Sequence, residues 1–177
     1  MVKSEIVNVV ATASVEQKVN LRELGRLQGF SHNLDVYHGR VAYFKNARMQ
    51  GRVSIFSSGK LISIGTKSEE KACGELKAVA RLLIAQGFVK SIKICPKIQN
   101  LVIAVNLEKT LNLEKLAETP KVIYEPEQFP ALILRLEKPY KASILIFGSG
   151  KIVIAGLKSS GEIEPTMQQI LKFIEDI

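Results

Sequence analysis

"IFSSGKLISIGTKSEE" at residues 55–70 and "IFGSGKIVIAGLKSSG" at residues 146–161 are two versions of one segment. Phe56 meets Phe147, Gly59 meets Gly150 and Lys60 meets Lys151, half a chain apart in 177 residues. Upstream, "IVNVVATASVEQKVNLREL" (6–24) aligns without gaps on "IQNLVIAVNLEKTLNLEKL" (98–116). Asn8 then meets Asn100, Val10 meets Val102, and Asn20 meets Asn112. Two blocks in the same order and nearly the same register mark a duplication, so one fold is expected twice, about an approximate twofold axis.

The repeated "GSGK" invites a phosphate-loop reading, and its flanks reject it. A phosphate loop needs a glycine five residues before the last one, Ser or Thr after the lysine, and a helix next. Ser54 and Leu145 hold the early position, and Leu61 and Ile152 come after the lysines. Strand-like runs lie on both sides, so the motif is predicted to be a β-hairpin turn.

The periods of each half give the rest. Residues 6–15 are Val-, Ala- and Thr-rich and predict a strand. Asn20, with Glu23 three positions on, has the spacing of a helix N-terminus. Leu21, Leu24 and Leu27 give that helix an apolar stripe, and Gly29 ends it. Asn112 opens the equivalent helix and Pro120 closes it. Short strands are expected near 34–37, 40–46, 51–57 and 61–66, and again near 121–125, 131–137, 142–148 and 151–157. A long amphipathic helix ends each half. Ala72, Leu76, Val79, Ala80 and Leu83 mark the first; Ile163, Met167, Ile170 and Ile174 mark the second. The halves divide near "GFVKSIKICPK" (87–97), giving repeats 1–91 and 92–177. The fold class is α+β, with helices stacked on one face of a wide antiparallel sheet.

Composition narrows the function. With 46% hydrophobic and 24% charged residues the chain reads as globular. No segment approaches the roughly 18 uncharged apolar residues of a membrane helix, and the acidic, early-polar start "MVKSEIVNVVATAS" does not read as a signal peptide. An intracellular protein is expected, in cytoplasm or nucleoid, or in the nucleus of a eukaryote. Cys73 and Cys95 lack metal-ligand spacing and read as ordinary buried or half-buried thiols. Lys and Arg total 25 against 17 Asp and Glu, a formal net charge of +8. Residues 1–91 carry 14 basic and 7 acidic side chains; residues 92–177 carry 11 and 10. The basic first half suits a polyanion such as nucleic acid, or simply solubility.

Strand alternation assigns side chains to faces. Ser54 and Phe56 share one face, with room for Ile62 and Ile64 beside them after the hairpin; Asn8, Val10 and Thr12 share a face of the first strand. The second half repeats this with Leu145, Phe147, Val153 and Ala155 around its hairpin and Asn100, Val102 and Ala104 on its first strand. These sets are either core or an uncovered binding face. The helices already supply a layer for the opposite strand face, and the asparagines repeat, which favours the second reading.

With these residues in place, the sequence resembles the TATA-box-binding protein family over nearly its whole length. The strongest matches are "IQNLV" (98–102), "YEPEQFPALILRL" (124–136), "LIFGSGKIVIAGLKS" (145–159) and "SIFSSGKLISIGTKSEE" (54–70). Without a long N-terminal tail, the chain looks more like the archaeal members. The resemblance implies a saddle, a curved sheet of ten antiparallel strands with its concave side in the minor groove of A·T-rich promoter DNA and helices on the convex side. Asn8 and Asn100 would donate to base acceptors at the central step. Val10, Thr12, Ile62, Ile64, Val102, Leu145, Val153 and Ala155 would line the groove. Phe56, Phe129 with Pro130, and Phe147 would wedge between base steps. Lys45, Lys60, Lys67, Arg135, Lys151 and Lys158 match phosphate-contacting positions. Glu125 and Glu127 match the loop that binds the B-type initiation factor, through which RNA polymerase is recruited. No cofactor, metal or catalysis is implied. A homodimer is one way for the free protein to shield its apolar side, and the sequence leaves the free oligomeric state open.

Two features depart from the family. Counting back from Phe56 puts Gly39 where a first-half wedge belongs, leaving Tyr37, Tyr43 or Phe44 as substitutes. Ile64 and Ala155 stand in for groove-facing threonines, removing hydroxyl contacts to the bases. A weaker first-half kink and a looser A·T requirement there are the expected result. Two rivals remain: a divergent paralogue acting as a regulator or protein-interaction platform, and an enzyme, because DNA glycosylases carry this fold as one domain. The latter need a further catalytic domain with a Lys nucleophile or Asp base, and this chain ends at Ile177.

Overall fold

The Val/Ala/Thr-rich opening forms strand β1, Lys3–Ser14. Val9, Ala11 and Ala13 are buried while Val10 and Thr12 are half-buried, the period-two signature of a sheet with one covered face. The computed structural model describes residues 3–90, 93–120 and 122–176. After β1 come α1 (Leu21–Leu24), β2 (Phe30–His32), β3 (Val41–Phe44), β4 (Arg52–Phe56), β5 (Lys60–Thr66) and α2 (Glu69–Ala85). The second pass gives β6 (Lys97–Asn106), α3 (Leu113–Ala117), β7 (Val122–Ile123), β8 (Ala131–Leu136), β9 (Ala142–Phe147), β10 (Lys151–Leu157) and α4 (Ile163–Glu175).

By spatial compactness the chain makes two units, Asn8–Gln99 and Met1–Val7 together with Asn100–Ile177. The expected repeat boundary at 91/92 lies outside the described residues. In the first unit the strand order is β2-β3-β4-β5-β1; in the second it is β6-β10-β9-β8-β7. The neighbouring strands are antiparallel.

Both short helices start where the asparagines foretold. Asn20 accepts a hydrogen bond from the Glu23 N–H and Asn112 from the Lys115 N–H. Each ends early. α1 stops at Leu24 with Gly25 as its C-cap, so Leu27 lies outside it and is half-buried; α3 ends three residues before Pro120. Two strand expectations need correcting. The strand expected at 34–37 is instead β2 at Phe30–His32. Phe30 is the buried anchor there, its ring 4.5 Å from that of Phe44. Asn33 accepts from the Asp35 N–H, a local turn that ends the strand. Leu34 and Tyr37 look strand-like by type yet are 60% and 69% exposed. The strand expected at 121–125 is reduced to Val122–Ile123, and residue 121 lies outside the described set.

α2 packs over β4 and β5. Ser68 caps it by accepting from the Lys71 N–H, and Ala72, Leu76, Val79, Ala80 and Leu83 are buried. Burial of Leu76 and Leu83 contributes roughly 1.5–3 kcal/mol each. Glu75 adds a polar tie. Its Oε1 accepts from the N–H groups of Gln50 and Gly51, and its Oε2 from the hydroxyl of fully buried Ser63. The helix is thereby fastened to β5 and to the turn before β4. In α4, Met167 and Ile170 are buried while Ile163 and Ile174 are half-buried. Among the described residues no helix is long and apolar enough to cross a membrane.

Candidate nucleic-acid interface

The repeated pentapeptide is a hairpin turn in both halves. Gly59 N–H donates to the Phe56 carbonyl and Gly150 N–H to that of Phe147. The segments leaving β1 and β6 lock the turns in place. Val15 and Val19 donate to the carbonyls of Gly59 and Ser57, and Leu107 and Leu111 to those of Gly150 and Gly148. The approach is so close that a Cβ on Gly59 or Gly150 would fall onto the carbonyl oxygen of Gln17 or Lys109. This explains the glycine, and it leaves Lys60 and Lys151 exposed at the start of β5 and β10.

The helices cover one face of each sheet and leave the other half-open. In the first unit Asn8, Val10, Thr12, Ser54, Phe56 and Ile62 are half-buried and Ile64 is 40% exposed. In the second, Asn100, Val102, Ala104, Leu145, Phe147, Val153 and Ala155 are all half-buried. Their strand neighbours Val9, Ala11, Leu61, Leu101, Ile103, Ile152 and Ile154 are buried. Register brings these sets together: Val10 pairs with Ile64 and Thr12 with Ile62. In the second unit Val102 pairs with Ala155, and Val153 with Leu145. A concavity of about 570 Å³ opens beside Phe147, lined by Ala104, Val153, Lys151, Lys3 and Glu5.

Each asparagine is held by a bulge that sequence reading missed. Val9 pairs with Thr66 and Val10 with Ile64, so Gly65 faces no partner; Gly156 is skipped likewise between the pairs of Leu101 and Val102. A bulge frees one ladder N–H. Asn8 Oδ1 accepts it from Gly65 at 2.9 Å, and Asn100 Oδ1 accepts it from Gly156 at 2.7 Å. With the amide oxygen engaged, Nδ2 is left as a donor on the half-open face of each unit. Both bulge glycines have left-handed backbone, with φ of 96° at Gly65 and 115° at Gly156. Thr12 is also engaged, its hydroxyl accepting from Gln99 Nε2 at 2.8 Å.

The aromatic residues differ between halves. Phe147 and Phe129, 40% exposed, stand edge to face with ring centres 6.2 Å apart, and Pro130 is exposed beside them. Val41 pairs with Phe56 as Ala131 pairs with Phe147, so two residues back the first half has Gly39 where the second has Phe129. The preceding loop is two residues longer in the first half, between the pairs Ser31–Tyr43 and Ile123–Ile133. Counted forward from Ser31, the matching place falls to Tyr37. Of the three substitutes expected from sequence, Phe44 is in the core against Phe30, Tyr43 lies under the Arg52 guanidinium, and Tyr37 is exposed.

Lys45, Lys60, Lys67, Arg135, Lys151 and Lys158 are all exposed. Glu125 and Glu127 are exposed in the β7–β8 loop, where the Glu125 carbonyl accepts from the N–H groups of Gln128 and Phe129. The acidic loop and the aromatic at its end are thus one folded unit. Burial, with the Glu114 carboxylate beside it, pushes the Tyr124 phenol up. Cys73 is half-buried, its thiol pushed up mainly by burial; Cys95 is exposed, which corrects the expectation of a covered thiol there. Among the described residues no three His, Cys, Asp or Glu side chains are grouped to hold a metal.

Both halves match the family model described as "Transcription factor TFIID (or TATA-binding protein, TBP)", over residues 3–85 and 95–177. A TATA-box-binding protein of Cenarchaeum symbiosum is 34% identical over 96% of this chain and 92% of its own. One from Methanobrevibacter smithii is 39% identical over 89% and 87%. The solved structure titled "Methanococcus jannaschii TBP" superposes with a TM-score of 0.86 at 33% identity, covering 99% of each chain.

Proposed function

The chain belongs to the TATA-box-binding protein family, and we propose that it binds and bends A·T-rich promoter DNA through the minor groove and recruits a B-type initiation factor. The observation that carries this reading is the Oδ1 of Asn8 and of Asn100, each accepting from a bulge glycine N–H, which leaves the Nδ2 as a donor on the half-open apolar face of its own unit. At A·T pairs the minor groove shows only acceptors, while a G·C pair adds the guanine N2 donor. Two donors set among Val10, Ile64, Val102 and Ala155 suit the first and leave the second unpaired. An unsatisfied amine buried against valine costs roughly 1–3 kcal/mol.

Phe129 and Phe147 wedge a base step and kink the duplex, the unstacking cost being offset by the protein surface the bent DNA then covers. The six exposed cations grip phosphates; engaging all six gives a log–log salt slope of about −5. Glu125 and Glu127 form the acidic surface for the B-type factor, through which RNA polymerase joins. A paralogue with altered DNA preference is the second reading, favoured by Gly39 at the wedge position.

Gel-shift titration of an A·T-rich against a G·C-rich duplex, with and without a B-type factor, tests both. The expected result is at least tenfold tighter A·T binding, raised further by the factor and lost on replacing Glu125 and Glu127 with lysine. Equal affinity for the two duplexes favours the paralogue.

A further inference from the structure

We propose that Arg52, carried on the ring of Tyr43, is a phosphate-gripping residue that the first half adds to its DNA-facing sheet, where the second half has only Ser143. The inference rests on the function proposed above and supplies the first half with a hold that does not depend on a wedge.

Cross-strand partners project from the same face of a sheet. Arg52 pairs with Ile64, and Ile64 with Val10. Tyr43 pairs with Ser54, and Ser54 with Ile62. Both side chains therefore stand on the half-open face, in the rows that carry the groove-lining residues. The guanidinium carbon lies 4.3 Å from the centre of the Tyr43 ring, within cation–π range.

The second half runs the same two rows differently. Arg135 pairs with Ser143 and Ser143 with Ala155; Ile133 pairs with Leu145 and Leu145 with Val153. Ile133 and Leu145 thus become Tyr43 and Ser54, and Ser143 becomes Arg52. The apolar platform has been exchanged for a ring that holds a cation.

The charges identify the ligand. Carrying the β3–β4 register one pair beyond Phe44–Val53 sets Lys45 opposite Arg52. Like charges directly opposite destabilise a sheet, and no carboxylate is paired with either among the described residues. Two adjacent cations call for an anion. On a duplex that is a phosphate, whose oxygens match the planar fork of an arginine; the base edges of an A·T groove are neutral.

Binding of an A·T-rich duplex by anisotropy over a range of KCl, with wild type, Arg52→Ser and Ser143→Arg, tests the assignment. Arg52→Ser is expected to make the log–log salt slope shallower by about 0.9 and to weaken A·T- and G·C-rich duplexes by the same factor. Ser143→Arg is expected to steepen the slope by a similar amount. Tyr43→Ala loses part of the Arg52 increment, and Tyr43→Phe, which keeps a ring, restores it. A wild-type slope in Arg52→Ser overturns the proposal, as does a selective loss of A·T preference, which would make Arg52 a base contact. If wild type shows no A·T preference, the function proposed above falls; wild-type preference with an unmoved Arg52→Ser slope refutes only the present inference. Arg52 is exposed, and thermal unfolding of the variant verifies that its fold is intact.

Discussion

Replacing Phe147 with alanine is expected to remove most of the bend that the second half imposes on DNA while changing the encounter rate less than about twofold. Wedging side chains kink a duplex by roughly 20–90°, and that deformation is made after contact. Under the proposed function, steering by the exposed lysines precedes it and sets the association rate. Phe147 also braces Phe129, the two rings meeting edge to face at 6.2 Å. Under the proposed function, its loss removes one wedge and frees the other. The dissociation rate should rise by about tenfold or more. Phe56→Ala should reduce the bend less, because Gly39 stands where a second ring would brace it. Bend angles from energy transfer between dyes at the duplex ends separate the two variants. An unchanged angle for Phe147→Ala would contradict the wedge, and equal losses for both variants would contradict the asymmetry.

Asn100→Asp is expected to weaken A·T-rich DNA binding on the order of a hundredfold with no loss of fold stability. The carboxylate still accepts from the Gly156 N–H, so the bulge keeps its hydrogen bond. What changes is the outward atom. Two donor hydrogens become a charged oxygen aimed at base acceptors, a reversal worth about 3 kcal/mol if one good base contact is lost and repulsion added. Asn8→Asp should act alike through Gly65. Thermal unfolding and binding titration, done together, check the two parts. Binding within threefold of wild type would show that the amide does not face the DNA.

Duplication, hairpin and caps are legible in the sequence because each rests on local chemistry repeated in the chain. A turn that brings a glycine against a carbonyl tolerates little change, and Asn20 and Asn112 accept N–H bonds three residues on. The alternation that puts Asn8, Phe56, Asn100 and Phe147 on one face of each sheet is legible too, since only one face has helices to cover it. β2 is not. It is three residues long with Phe30 as its one buried anchor, while the apolar Leu34 and Tyr37 beside it are exposed. The glycine bulges look like ordinary strand because a skipped residue leaves no mark until its partner strand is in place. The Tyr43–Arg52 stack is hidden for the same reason: nine residues separate the pair in sequence, and only the β3–β4 register joins them.

The proposed function depends on one physical claim: that the half-open apolar face of each unit, with its asparagine amide, reads the minor groove. Inosine separates the grooves, because an inosine·cytosine pair lacks the minor-groove N2 amine yet keeps the major-groove edge of G·C. The measurement is affinity for one duplex in three forms, with its A·T pairs kept, replaced by inosine·cytosine, or replaced by G·C. Binding to the inosine form within a few-fold of the A·T form, and far above the G·C form, is the predicted result. An inosine form bound as weakly as the G·C form would contradict it.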